Sequence, residues 1–104
     1  MPDMSELTSS QRKYVRGLAH ALEPVVQIGK SGLGDEVVAQ VERMLAIHEL
    51  IKVRFVAGKT EKAELVAELC ARTGATAAGT VGHVAILFRP SSEPERRRIR
   101  LPTP

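Results

Sequence analysis

Three glycines fall within six residues in Gly29-Lys30-Ser31-Gly32-Leu33-Gly34, and a single lysine stands among them. The apolar run Val25-Val26-Gln27-Ile28 precedes this stretch, and a helical pattern follows at once. Residues of these types in this order can bind an anion. Backbone N–H groups of such a turn point outward, the following helix presents its positive end, and glycine lets a phosphate come close to the chain. Lys30 would add a full positive charge. A P-loop is excluded, because the motif needs a glycine five positions before the Gly-Lys pair, where this chain has Pro24. A dinucleotide fingerprint is excluded as well, since the order here is Gly-x-x-Gly-x-Gly and the fingerprint requires Gly-x-Gly-x-x-Gly.

Other chemistry is thin. His20, His48 and His83 are isolated, with no Cys or His at metal-ligand spacing. Asp35 and Glu36 are adjacent, so on a helix they do not face each other. Ser31 beside Lys30 in a glycine turn does not define a nucleophile. No enzyme, metal or cofactor is expected. A Gly-x-x-Gly loop, Gly29 to Gly32, remains, of the kind that clamps nucleic-acid backbone in KH domains, and a plain turn is the alternative. The aromatic residues Tyr14, Phe55 and Phe88 all fit core positions, so backbone recognition is expected in place of base stacking.

The elements that position this loop are legible. Thr8-Ser9-Ser10-Gln11 fits a capping box. The helix it opens carries Tyr14, Val15, Leu18, Ala19 and Leu22 as one apolar face and Arg12, Arg16 and His20 on another, with Lys13 beside them. Pro24 should end this helix. A strand follows over Pro24–Ile28, then the glycine loop, then a helix from about Gly34 to Ile47 with Val37, Val38, Val41, Met44 and Leu45 inward. In Leu50–Val56 the apolar Ile51, Val53 and Phe55 alternate with Lys52 and Arg54. That alternation predicts a strand with one buried and one basic, water-facing side, hence a sheet covered by helices on one side only. A third helix, capped by Thr60, should reach Thr73 and bury Leu65, Val66, Leu69 and Cys70, with Gly74 at its end. Ala75–Val81 reads as a weak strand, Gly82-His83 as a hairpin turn, and Val84–Phe88 as the strongest strand. The order is α-β-α-β-α-β-β: an α/β (α+β, two-layer) domain with a four-stranded mixed sheet, parallel early and antiparallel at the end.

At 104 residues the chain has room for one core. Its single cysteine excludes an internal disulfide, and a buried reduced thiol is expected. The start, Met1 to Glu6, is acidic and lacks an apolar targeting segment, and apolar runs are far shorter than the ~20 residues of a membrane helix. A cytoplasmic protein without a membrane or small-molecule partner is expected. The net charge of +3 comes entirely from residues 89–104, since basic and acidic groups balance before them. A nucleic-acid surface in the folded part must therefore arise from arrangement and not from excess. Residues 91–104, with Arg96, Arg97, Arg98 and Arg100 between prolines, read as a flexible basic tail that could add flanking phosphate contacts.

Several stretches together resemble one family. They are Leu7-Thr8-Ser9-Ser10-Gln11-Arg12-Lys13-Tyr14-Val15-Arg16-Gly17-Leu18-Ala19-His20, Val25 through Leu33, His48-Glu49-Leu50-Ile51-Lys52-Val53, and Gly82-His83-Val84 through Pro90. In this order, over about residues 7–90, they resemble the YhbY family, the stand-alone bacterial form of the CRM domain (chloroplast RNA splicing and ribosome maturation). The resemblance implies a fold like the C-terminal domain of translation initiation factor three. It also implies RNA binding, with bacterial members associated with precursors of the large ribosomal subunit and plant relatives in group II intron splicing factors. The family's Gly-Lys-x-Gly loop falls on Gly29, Lys30, Ser31 and Gly32, and its basic helix on Arg12, Lys13, Arg16 and His20. Lys52 and Arg54 are further candidates. Two departures stand out: Gly34 where relatives often have Ser or Thr as the cap, and a third strand poor in β-branched residues. The expected partner is large-subunit ribosomal RNA or its precursor particle, with ribosomal proteins as further partners. A protein-interaction module without RNA contact is the alternative.

Overall fold

Thr8 and Gln11 close the expected box: the Gln11 N–H donates to Thr8 Oγ1 at 3.2 Å, and the Thr8 N–H donates to Gln11 Oε1 at 3.1 Å. The helix they open is the first element of a computed structural model that describes residues 7–29, 32–56 and 59–101. It runs Ser9–Ala19 (α1) and stops well short of Pro24, with the Leu22 N–H turning back to Ala19 O. Proline is therefore not its terminator. The chain continues as β1 (Pro24–Ile28), α2 (Asp35–His48), β2 (Leu50–Phe55), α3 (Lys59–Thr73), β3 (Thr76–Val81) and β4 (Val84–Phe88), the order expected. Thr60, the expected cap, lies inside α3, which begins at Lys59.

The sheet order is β1-β2-β4-β3. β1 and β2 are parallel, joined across α2, whereas β4 is antiparallel to both β2 and β3. Gly82, with φ +58, makes the β3–β4 turn, as a glycine-first two-residue hairpin requires.

Helices cover both faces of this sheet, which corrects the one-sided expectation. Ile51, Val53, Phe55, Ala85 and Leu87 face α2 and α3, meeting Val41, Leu45, Val66 and Leu69. Leu50, Ile86, Phe88 and Ala78 face the other way and pack on Val15 and Ala19 of α1. The cause is visible in β4: its unbroken apolar run supplies side chains to both faces, the pattern of a strand buried on both sides. The Lys52/Arg54 alternation describes only the part of one strand that α1 leaves uncovered. Residues Phe55 and Phe88, both fully buried, anchor the two cores, each stabilising by roughly 1.5–3 kcal/mol relative to exposure.

The segment after β4 also departs from expectation. Glu49, 2% exposed and at φ +63, turns its carboxylate onto three backbone N–H groups: Ser91 at 2.5 Å, Arg98 at 2.6 Å and Ile99 at 3.0 Å. Ile99 and Leu101 pack against the α1 core, and a 3₁₀ turn spans Pro94–Arg96. Described residues 91–101 thus lie on the domain and do not trail into solvent.

Candidate nucleic-acid interface

The buried stripe of α1 is Gln11, Val15 and Ala19, so the exposed Tyr14 (43%), Leu18 and Leu22 are not the core face that their spacing suggested. Because helix residues step by about 100°, Arg12/Arg16/His20 and Tyr14/Leu18 form opposite flanks of that stripe. Leu18 and Leu22 line a groove of about 380 Å³ with His48, Leu50 and Ile99, at the end of the sheet where β2 begins. The basic flank faces away from that groove, toward β3. β3 supports this orientation. A bulge between Ala77 and Gly79 turns Ala78 and Gly79 to the same face. Ala78 lies under the α1 core; Gly79, one step nearer the hairpin, lies under Arg16. A Cβ at Gly79 would stand 2.8 Å from Arg16 Cδ, so the absent side chain makes room for that arginine.

The other expected residues lie along β1 and β2. Arg54 is exposed on the α1 side of β2, between Gln27 and Val84 in the sheet register. Lys52 shares that face but is half-buried, and its Nζ donates to Leu22 O at 3.0 Å, holding the chain that leaves α1. The glycine loop departs from Ile28, which neighbours Phe55 of β2. The Gly32 N–H donates to Gly29 O at 3.1 Å and Gly32 has φ +81, a conformation that favours glycine. Gly29 has no such backbone demand, and nothing lies within 4 Å of where its Cβ would stand. Lys30 and Ser31 lie outside the described residues.

Asp35 and Glu36 occupy the first turn of α2, where Gly34 caps without a side chain. The positive helix end is thus met by the chain's own carboxylates. Arg72 of α3 binds the Asp35 carboxylate and Leu33 O, each at 3.1 Å, and so fastens the loop's exit. Sequence reasoning missed this role. Its only signal is Arg72 four residues after Glu68, which reads as an ordinary surface pair.

The cations whose side chains are described divide into two groups. Arg72, Arg89, Arg96, Arg97, Lys52 and Lys62 each hold a carboxylate or a carbonyl of the fold; Lys62 donates to Gly82 O, and Arg89 to Glu42 and Thr73 O at 2.8 and 2.7 Å. The side chains of Arg12, Lys13, Arg16, Arg43, Arg54, Arg98 and Arg100 have no hydrogen-bond or ion-pair partner among the described residues. α1 carries three of these free cations and no acid. Cys70 is half-buried, and burial pushes its thiol up from the usual range, against a backbone hydrogen bond at Ala77. No helix among the described residues is long and apolar enough to cross a membrane.

A four-stranded mixed sheet with helices on both faces, a glycine turn after its first strand and an acid-free cationic helix on one face define a small α/β domain. The chain belongs to the CRS1/YhbY (CRM) domain family, whose model matches residues 7–89. It is 40% identical over 100 residues to a Haemophilus influenzae protein named "RNA-binding protein", covering 95% of this chain and 98% of that one. A Bacillus subtilis protein named "probable RNA-binding protein" is 33% identical over 97 residues, covering 92% and 99%. A solved structure from Staphylococcus aureus superposes with a TM-score of 0.81 at 34% identity, over 93% of this chain and all of that one.

Proposed function

We propose that the protein binds RNA without catalysing a reaction, and that it acts in ribosome assembly on the precursor of the large subunit, in the cytoplasm. The observation that carries the reading is the free cationic flank of α1, which lies on the face of the sheet that also exposes Arg54. Relatives named as RNA-binding proteins support it, and the family resemblance supports the ribosomal setting. Gly29 and Gly32 permit close approach of a phosphate backbone, and Lys30 neutralises it. Arg12, Lys13, Arg16, His20 and Arg54 extend the track, while Lys52 mainly holds α1 in place. Open space at Gly29, where the fold itself does not demand glycine, fits a position kept clear for a ligand.

In Lys30→Ala, the slope of log affinity against log salt should flatten by roughly 0.7–0.9, one phosphate contact, equally for different RNA sequences. An unchanged slope and affinity would remove the loop from the interface. Gly79→Val tests the helix side. A valine Cβ displaces Arg16, while valine itself suits a strand, so thermal stability should change little and affinity should fall about fivefold. If affinity holds, Arg16 does not contact RNA.

The groove lined by Leu18, Leu22 and Val25 favours one rival, a module that docks another protein. Gradient sedimentation of cell extract separates the two: co-migration with large-subunit precursors that RNase abolishes fits the RNA reading, and association surviving RNase with a purified protein fits the rival.

A further inference from the structure

We propose that residues 96–101 form a second, pre-built strip for the RNA backbone, held in place by Glu49; this rests on the RNA-binding reading above. The buried Glu49 carboxylate takes the N–H groups of Arg98 and Ile99, which fixes the height at which the arm crosses the domain. Ile99 and Leu101 then point into the α1 core, while Arg98 and Arg100 alternate with them and are exposed without partners. The neighbouring arginines are spent on the arm's own structure: Arg97 Nε donates to Ser91 O at 2.8 Å and Arg96 pairs with Glu93 at 2.9 Å. Two arginines of four are thus structural and two are presented outward, a division that a merely solvated tail has no reason to make.

The position of the strip matters as much as its charge. Arg98 and Ile99 line the groove against Leu18 and Leu22, on the flank of α1 opposite Arg12 and Arg16. Glu49 lies just before β2, at the far end of the sheet from the glycine loop, a separation of about 20 Å for a six-residue strand. An RNA held at both strips must pass over α1. Exposed Tyr14 lies one helical turn from Leu18 on the arm's flank and offers a base a stacking surface, which the expected all-buried aromatics could not. The chain's whole charge excess resides in this arm and the residues around it, after position 88.

The test measures binding of the full chain to a fluorescently labelled hairpin RNA with single-stranded flanks, across a salt series. Arg98→Ala with Arg100→Ala should lower the slope by about 1.4–1.8 and affinity by at least tenfold at moderate salt, without loss of thermal stability. Ile99→Ser with Leu101→Ser keeps both arginines but unseats them, and affinity should fall several-fold. Unchanged binding in the arginine variant, with binding lost in Arg12→Ala/Arg16→Ala, would overturn the second strip and leave the RNA reading standing. Unchanged binding in both would overturn the reading itself. Full affinity in the serine variant would overturn the pre-built seat.

Discussion

Replacing Glu49 by alanine should destabilise the domain by about 3–5 kcal/mol and lower its melting temperature by roughly 15–25 °C. Glu49 is the acceptor for three N–H groups that no other described residue satisfies, each a hydrogen bond to a charged group of about 1.5–3 kcal/mol. The arm escapes part of that penalty by detaching into water, which recovers chain entropy and sets the lower limit. A series of substitutions separates the causes. Gln keeps one acceptor and should fall between wild type and alanine. Gly loses the carboxylate but relieves the backbone at φ +63, so it should be more stable than alanine by up to about 1 kcal/mol. Thermal unfolding followed by circular dichroism measures the order, and amide exchange at Ser91, Arg98 and Ile99 reports detachment. An alanine variant within 1 kcal/mol of wild type would show that the carboxylate does not hold the arm.

Binding, not stability, should respond to the triple substitution Arg12→Ala, Lys13→Ala and Arg16→Ala. All three side chains are exposed and unpaired, and the buried stripe of Gln11, Val15 and Ala19 is untouched. Removing Arg12 and Arg16, stacked four residues apart, relieves a like-charge pair, and alanine is the better helix former. The melting temperature should hold or rise slightly. Three lost phosphate contacts should reduce the salt slope by about 2–2.7 and affinity by about a hundredfold at moderate salt. Equal affinity for the variant and wild type would place the interface elsewhere on the molecule.

What the sequence made legible follows from how local each signal is. The capping box, the glycines at the end of α3 and in the β3–β4 turn, and the order of helices and strands are set by residues within a few positions of one another, and they stand as read. The side of the sheet that α1 covers is not local. Lys52 and Arg54 spoke for an open face, while Leu50 and the unbroken Val84–Phe88 run spoke for a covered one, and β4 settles the matter by feeding both cores. The face of α1 was misjudged for a related reason. Tyr14, Leu18 and Leu22 are more apolar than Gln11, yet Gln11 is drawn inward by its reciprocal bonds with Thr8. Among the candidate binding residues, the basic flank could be read from helical spacing, but its aim depends on the groove and on Gly79. Neither Arg72 at Leu33 nor Glu49 at the arm could be found from spacing, because their partners are 39 and up to 50 positions away.

Those long spans also govern the order in which the protein can assemble as it is synthesised. α1 is made first, but Ile86, Phe88, Ile99 and Leu101, which complete its core, are made last. The β1–α2–β2 unit can close early, since its strands are adjacent in the sheet and in sequence. β4, inserted between β2 and β3, must arrive before α1 has a surface to settle on. The basic helix therefore spends most of synthesis undocked, and it takes its final orientation only as the C-terminal arm emerges. Folding rate should accordingly be limited by these non-local contacts and not by helix formation.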